Sequence, residues 1–220
     1  MQIALLLGQD GITNGAIYAL LALALVLVFA VTRVIFIPQG EFVALGALSL
    51  ASLQAGKMPG TLWLLLGAGI AIFIIDGIGA IKAGALHRFP KIVLWNLAYP
   101  GITGLVLFLV KPAELPMLAQ VMLSLILVVP LGPMIYRLAF QPLAEASVLV
   151  LLIVAVAVHM ALVGLGLLFF GAEGSRTPAF SDAVFEFGTI HVTGQTFWVL
   201  ASSVLLIATL YLFFERTLYG

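Results

Sequence analysis

The sequence of 220 residues has very few charged side chains and no cysteine. Charged residues make up 8% of the chain, whereas a soluble domain carries roughly 25%. Because so few charges cannot cover a surface that faces water, we expect the chain to reside in a lipid bilayer. The absence of cysteine excludes a disulfide framework and a thiolate metal site. Nine basic and nine acidic residues balance, so nothing indicates nucleic acid as a partner.

The sequence also lacks the common patterns of enzymes. Its three histidines, His87, His159 and His191, lie in different segments and do not have the spacing of a metal-binding pair. It contains no Walker A sequence for nucleotide phosphates, and no serine lies in a G-x-S-x-G motif. We therefore expect no catalytic residue, no metal site and no cofactor in this chain.

Long hydrophobic runs are what the sequence has in abundance. Hydrophobic residues make up 64% of the chain, and the mean hydropathy is +1.27. A transmembrane helix needs about 20 such residues, and long continuous runs favour helices over a barrel of alternating strands. We expect an all-α, polytopic integral membrane protein with about seven transmembrane helices. They are 12–31, 36–53, 62–81, 92–110, 116–136, 148–170 and 197–214.

The basic residues predict the orientation, because lysine and arginine concentrate in cytoplasmic loops. Seven spans divide the loops and ends into one set with six basic residues and another with three. We expect the first set in the cytoplasm, the N-terminus in the periplasm and the C-terminal end in the cytoplasm. The first set contains Arg33, Lys82, Arg88, Lys91, Arg137 and Arg216, and the second contains Lys57, Lys111 and Arg176.

The longest connection, 171–196, then forms an external loop. Within it, VFEFGTIHV (184–192) alternates apolar residues on both sides of a glycine, which indicates a pair of short strands. We expect this loop to be an ordered cap on the outer surface.

Ionisable residues inside the apolar runs are candidate functional residues, because hydrocarbon is a costly environment for them. Asp76 lies near the cytoplasmic end of the third run, where it either reaches the interface or pairs with Lys82. His159 lies in the middle of the sixth run, where it either bonds to a neighbouring helix or belongs to a polar pathway.

Two further polar residues, Asn14 and Tyr18, lie one helical turn apart on one face of the first run. Gly11 and Gly15 form a G-x-x-x-G pattern beside them, which allows close packing of helices. Both a packing role and a place on a substrate path are open for this face.

The second run is interrupted by Pro38-Gln39-Gly40-Glu41. Irregular backbone at membrane depth is tolerated only where it is buried in protein or lines a cavity, and broken helices often mark the substrate path of transporters. Two interpretations are open for this break: an interfacial turn with Glu41 in headgroups or water, and a functional turn on a substrate path.

The segment from 10 to 47 resembles the opening of the permease subunits of branched-chain amino acid ABC importers. The segments 136–162, 169–178 and 213–220 resemble later blocks of that family, in the same order. Phe36 to Gln39 depart from the family's Asn-Phe-Ala-His stretch, and Gln141 stands where the family has arginine. The residues that match the opening pattern are Gly11, Gly15, Ala16, Tyr18, Ala19, Leu20, Ala22, Gly40 and Glu41.

The resemblance implies a permease of the bacterial inner membrane that does no chemistry itself. Its partners would be a second permease subunit, cytoplasmic ATPase subunits and a periplasmic substrate-binding protein. Residues 1–220 would be one permease domain, incomplete at its C-terminus, with 62–110 as an inserted helix pair. The resemblance places Asn14, Tyr18, Gln39, Gly40 and Glu41 on the substrate path.

Three other functions are open. A stand-alone secondary transporter or channel would need buried carboxylates at the centre of its own helices, and neither Asp76 nor Glu41 is expected there. A membrane-embedded enzyme and a non-transporting assembly subunit are the others.

Overall fold

A computed structural model describes the backbone of residues 2–85, 87, 89–181, 183–187 and 190–216. It describes the side chains of 7–85, 87, 89–181, 183–185 and 192–215. Four features of the sequence lie outside the described backbone: Arg88, Asp182, the Gly188-Thr189 pair and the end of the chain at 217–220.

Helices account for most of the described chain. They are α1 (Gln2–Thr32), α2 (Gln39–Gln54), α3 (Gly60–Lys82), α4 (Phe89–Leu109), α5 (Met117–Leu143), α6 (Val148–Phe170) and α7 (Gly194–Arg216). Helix α4 consists of Phe89–Val93, the π-helical turn Leu94–Ala98 and Tyr99–Leu109. A 3₁₀ turn, Pro112–Glu114, precedes α5. Helix α5 consists of Met117–Val128, Leu131–Ile135, the π-helical turn Tyr136–Phe140 and the 3₁₀ turn Gln141–Leu143.

Within the described residues, six of these helices are long and apolar enough to cross a membrane. The exception is α2, which has only 16 residues. These helices indicate a multi-pass membrane protein, and they confirm the all-α prediction. The predicted number of seven spans is not confirmed, because the second span is not a full-length helix.

The boundaries of two predicted spans differ from the structure. Helix α1 begins at Gln2 instead of residue 12, because Asp10-Gly11 does not interrupt it. The predicted span 36–53 is helical only from Gln39, and Pro38 caps the start of α2 with no helix before it in 33–36. The break is therefore the start of a helix that follows a non-helical segment.

The chain divides into two compact units. The first comprises α1, the strands β1 (Val184–Phe187) and β2 (Ile190–Thr193), and α7. The strands pair antiparallel, with Val184 opposite Thr193 and Phe185 opposite Val192, which confirms the predicted strand pair. Phe180 and Trp198 pack with ring centroids 5.9 Å apart, and the Phe180 N–H donates to Gln195 Oε1 at 2.8 Å.

The second unit, Arg33–Thr177, contains α2 to α6 around one main core. Apolar side chains from α2, α3, α4 and α5 pack against one another there and are covered by protein. The core residues are Leu45, Leu53, Leu62, Leu65, Ile72, Leu107, Leu127, Val128, Leu131 and Met134. Because α3 and α4 supply four of these ten residues, the segment 62–110 is part of the core of this unit.

Hydrogen bonds between helices reinforce this core. The Ser124 hydroxyl of α5 donates to the Gly46 carbonyl of α2 at 2.8 Å. Ser49 of α2 contacts Thr61 of α3 through their hydroxyl groups, and both side chains are fully buried. Small and hydroxylated residues allow helices to approach closely in membranes, where such bonds have no competition from water.

Candidate functional site at the start of α2

The segment between α1 and α2 is not helical, and only part of it is buried. Arg33, the residue after α1, has a φ of +57°, so the chain leaves the helical path there. Val34 is only 2% exposed and packs with Phe140 and Leu151. Pro38 is also fully buried. Protein thus covers this irregular segment at Val34 and Pro38, whereas Ile35 and Ile37 between them are exposed.

Helix α2 starts with a carboxylate in its first turn. Pro38 precedes it with φ −66°, which suits a helix start, and proline lacks an N–H that would need a partner. The Glu41 N–H donates to the Pro38 carbonyl at 3.1 Å. An acidic side chain in the first turn is common, because the N-terminal end of a helix carries partial positive charge.

Glu41 meets His159 of α6. Glu41 Oε1 lies 2.8 Å from His159 Nδ1, and the two side chains are 17% and 29% exposed. The oxygen does not lie along an N–H direction of the ring, so the contact is a close polar pair without an aligned hydrogen bond. The other oxygen, Oε2, is buried and has no hydrogen-bond partner among the described residues. His159 therefore lies close to Glu41 of a neighbouring helix, and both interpretations of this histidine, a bond to that helix and a place in a polar pathway, stay open.

This pair lies at half the height of α6. His159 is eleven residues from both Val148 and Phe170, so it is about 16 Å from each end at 1.5 Å per residue. At the far end of the unit, a side chain on Gly60 would lie 2.5 Å from Phe169 Cβ, so the start of α3 is level with the end of α6. Helix α2 therefore extends from mid-height to this end. Glu41 thus lies beside the middle of α6, although the sequence does not predict it at the centre of the helices.

Gly40 takes an ordinary helical conformation in α2, and a Cβ added there would meet nothing within 4 Å. Neither backbone conformation nor close packing requires glycine at this position. Gly40, the sequence neighbour of Glu41, is exposed, so the space next to it is open.

We expect Gly40→Ala to fold as well as the original chain, because alanine is favoured over glycine in a helix by about 0.5–1 kcal/mol. We also expect it to lower solute uptake severalfold, since the methyl group enters the open space next to Glu41. The melting temperature in detergent and the initial uptake rate would be measured together. Gly46→Ala, in the same helix and also without a close neighbour, is the matched control. Equal uptake rates for both variants would contradict a role for the space at Gly40.

Asn14 and Tyr18 belong to the first unit. Both lie on α1 and are exposed, and Tyr18 is 70% exposed. A Cβ on Gly11 or Gly15 would have no neighbour within 4 Å, so neither glycine is in a close helix contact in this structure. The predicted role of this face on a substrate path stays a prediction. Gln39, Gly40 and Glu41 lie in the second unit.

Asp76 pairs with Arg137, not with Lys82. Arg137 Nε lies 3.1 Å from Asp76 Oδ1 and 3.4 Å from Oδ2, and its Nη2 also contacts Oδ1. The pair joins α3 to the π-helical turn of α5. Lys82 lies six residues further along α3 on another side of the helix. Sequence reasoning assigned Arg137 only to the set of cytoplasmic charges; its place directly after an apolar run could have indicated a partner for Asp76.

We expect Asp76→Asn to lower the stability of the second unit by about 1 kcal/mol, since it leaves the Arg137 charge without its partner. The estimate is small because Arg137 is 42% exposed and solvent weakens the pair. A thermal melt in detergent should show a decrease of about 2–4 °C. Glu114→Gln removes an exposed carboxylate that pairs with Lys111 and should change nothing. An equal decrease in both variants would contradict a special role of the Asp76–Arg137 pair.

No three histidine, aspartate or glutamate side chains among those described are close enough to hold a metal ion. Comparisons of the chain with protein-family models, with curated proteins and with solved structures find no match.

Proposed function

We propose that this chain is the transmembrane permease subunit of an ABC importer for branched-chain or related amino acids. The observation that carries the proposal is the position of Glu41, in the first turn of a helix that begins at half the height of α6. Discontinuous helices of this kind form substrate sites near the bilayer midplane of transporters. The sequence resemblance to branched-chain amino acid permeases supports the same function.

The site has the chemistry to recognise an ammonium group. Glu41 presents a buried oxygen, Oε2, without a hydrogen-bond partner in the described chain, while Oε1 is next to His159. A buried acceptor without a partner is costly, and a cationic donor is its natural complement. The α-ammonium group of an amino acid would supply that donor. His159 would hold the carboxylate of Glu41 in position.

The partners follow from the resemblance. A second permease subunit would complete the path, cytoplasmic ATPases would drive it, and a periplasmic binding protein would deliver the solute. This assignment includes the bacterial inner membrane, a periplasmic N-terminus and seven crossings, with the non-helical segment 33–38 and α2 together forming the second crossing. Segment 62–110 would be an insertion relative to the family.

A stand-alone proton-coupled transporter is the second candidate, and one observation favours it. Both titratable groups of the site, Glu41 and His159, belong to this chain and lie at mid-height. Carboxylate and histidine chains of this kind serve as proton relays in transporters. Under this alternative, no ATPase partner is required.

Purification and reconstitution would distinguish the two functions. The full chain would be extracted from its native membrane in mild detergent, its bound proteins identified, and leucine uptake measured in proteoliposomes. We expect associated ATPases and uptake that requires ATP. Leucine accumulation by the chain alone, driven by a proton gradient without ATP, would establish the alternative. An absence of uptake under both conditions would leave an assembly subunit as the function.

A further inference from the structure

A cavity with charged side chains in its lining lies at the C-terminal end of α3, away from Glu41. It has a volume of about 670 Å³ and lies between the last turns of α3, the start of α4 and the π-helical turn of α5. The side chains that define its character are Ile75, Asp76, Gly79, His87, Lys91 and Arg137. Neither the proposed transport function nor the resemblance uses this cavity.

The rim of the cavity carries a positive charge. Lys91 is exposed and forms no ion pair with a described residue. Arg137 donates to Asp76 through Nε and Nη2, which leaves Nη1 directed to other partners. Among the described residues of the lining, Asp76 is the only acidic one, and Arg137 balances it. The remaining charge of Lys91, with the His87 ring beside it, favours an anion.

The floor of the cavity is apolar and faces lipid. Ile75 is 56% exposed although it lies well inside a membrane helix. Asp76 is six residues from the end of α3 at Lys82, which corresponds to about 9 Å of helix. The cavity therefore extends from hydrocarbon depth to headgroup depth. Gly79 has no neighbour within 4 Å of an added Cβ, so the helix surface is open along this path.

We propose that this cavity binds an anionic phospholipid, with its phosphate at Lys91 and Arg137 and an acyl chain along Ile75. Guanidinium and ammonium groups are the usual partners of phosphate. Basic pockets between transmembrane helices hold anionic headgroups in the same way. A free phosphate ion has the same charged oxygens as the headgroup, but it has no apolar part that could contact the floor of the cavity.

The test uses the full chain, purified in neutral detergent and freed of bound lipid. Its melting temperature would be measured against three probes: short-chain phosphatidylglycerol, phosphatidylcholine with the same chains, and inorganic phosphate. We expect phosphatidylglycerol alone to raise the melting temperature, because a ligand that binds only the folded state stabilises it. An equal shift with inorganic phosphate would show a free-phosphate site and overturn the proposal. An equal shift with phosphatidylcholine would overturn it as well.

Two variants and one control locate the binding. Lys91→Gln should raise the half-saturating concentration of phosphatidylglycerol about fivefold, the value expected for one cation near an anionic lipid. Gly79→Leu places an isobutyl group in the cavity beside Ile75 without any change of charge and should abolish the shift. Lys82→Gln removes a charge from the same end of α3 outside the lining and should have no effect. Equal weakening by Lys82→Gln and Lys91→Gln, or normal binding by Gly79→Leu, would overturn the proposal.

Discussion

Exchange of Glu41 for glutamine is expected to lower amino-acid uptake at least about tenfold while the protein still inserts and folds. Glutamine has nearly the same shape as glutamate, so the packing around Phe42 and His159 can persist. The negative charge that would receive an ammonium group is lost. A hydrogen bond to a charged group contributes about 1.5–3 kcal/mol, which corresponds to roughly tenfold to more than a hundredfold in binding.

The measurement is the initial rate of labelled leucine uptake by the assembled complex, normalised to the amount of protein in the membrane. The leucine analogue that carries a keto group in place of its amino group should compete poorly with leucine in the original protein, because it lacks the ammonium group. Glu114→Gln makes the same chemical change at an exposed position and should leave uptake unchanged. Uptake by Glu41→Gln equal to that of the original protein would refute a substrate role for Glu41.

His159 provides a further check on the same site. If it positions Glu41, His159→Gln should weaken uptake less than Glu41→Gln, and the double variant should be no worse than Glu41→Gln alone. Residues in direct contact show such non-additive effects, while independent residues show additive ones. Additive losses would mean that the two side chains act separately.

A substitution of alanine for Gly69 is expected to cause the largest loss of stability in the second unit. Gly69 lies in α3 opposite the π-helical turn of α4, and an added Cβ would fall on the Asn96 carbonyl oxygen. It would also lie 3.2 Å from the Asn96 carbonyl carbon and 3.4 Å from Pro100 Cγ. Because a backbone carbonyl cannot rotate away as a side chain can, α3 and α4 would have to separate.

The backbone of α4 explains why the carbonyl is there. Pro100 lies four residues after Asn96 and has no N–H to donate to it in the usual helical pattern. The wider π-helical turn Leu94–Ala98 lies at the same place. Glycine at position 69 has no Cβ, and any other residue type would place its Cβ against this carbonyl.

The expected cost of Gly69→Ala is about 3 kcal/mol, the upper part of the range for overpacked cores. This corresponds to a melting temperature lower by about 10 °C. Gly67→Ala, two residues earlier in α3, is the matched control, because a Cβ there meets nothing within 4 Å. We expect it to be neutral or slightly stabilising. If the melting temperatures of Gly69→Ala and Gly67→Ala differ by less than about 2 °C, which corresponds to less than about 1 kcal/mol, the close packing of α3 on α4 is refuted.

Several structural features could be predicted from the sequence because they depend on local properties. Apolar runs of about 20 residues predict membrane helices wherever they occur. Pro38 predicts an interruption because proline cannot be inside a helix without loss of a hydrogen bond. The alternation around residues 184–192 predicts a strand pair for a similarly local reason, and the structure contains it.

The partners of the polar residues could not be predicted in the same way. In α6 almost every residue is apolar, so the sequence does not show which side of the helix faces its neighbours. His159 meets Glu41 because Ala155 and Leu162 on the same side of α6 are buried in the unit. Similarly, Asp76 had a candidate partner nearby in Lys82, and helix packing instead brings it to Arg137.

The sequence by itself determined that this is a multi-pass, helical membrane protein, and it identified the polar residues that lie within the apolar runs. Both follow from the cost of exposing charges and backbone polar groups to hydrocarbon, which acts residue by residue. Only the tertiary structure decided that Glu41 lies at half the height of α6 and that a side chain at Gly69 would collide with the Asn96 carbonyl oxygen. The rotation and relative height of packed helices set those positions, and they depend on contacts between distant parts of the chain.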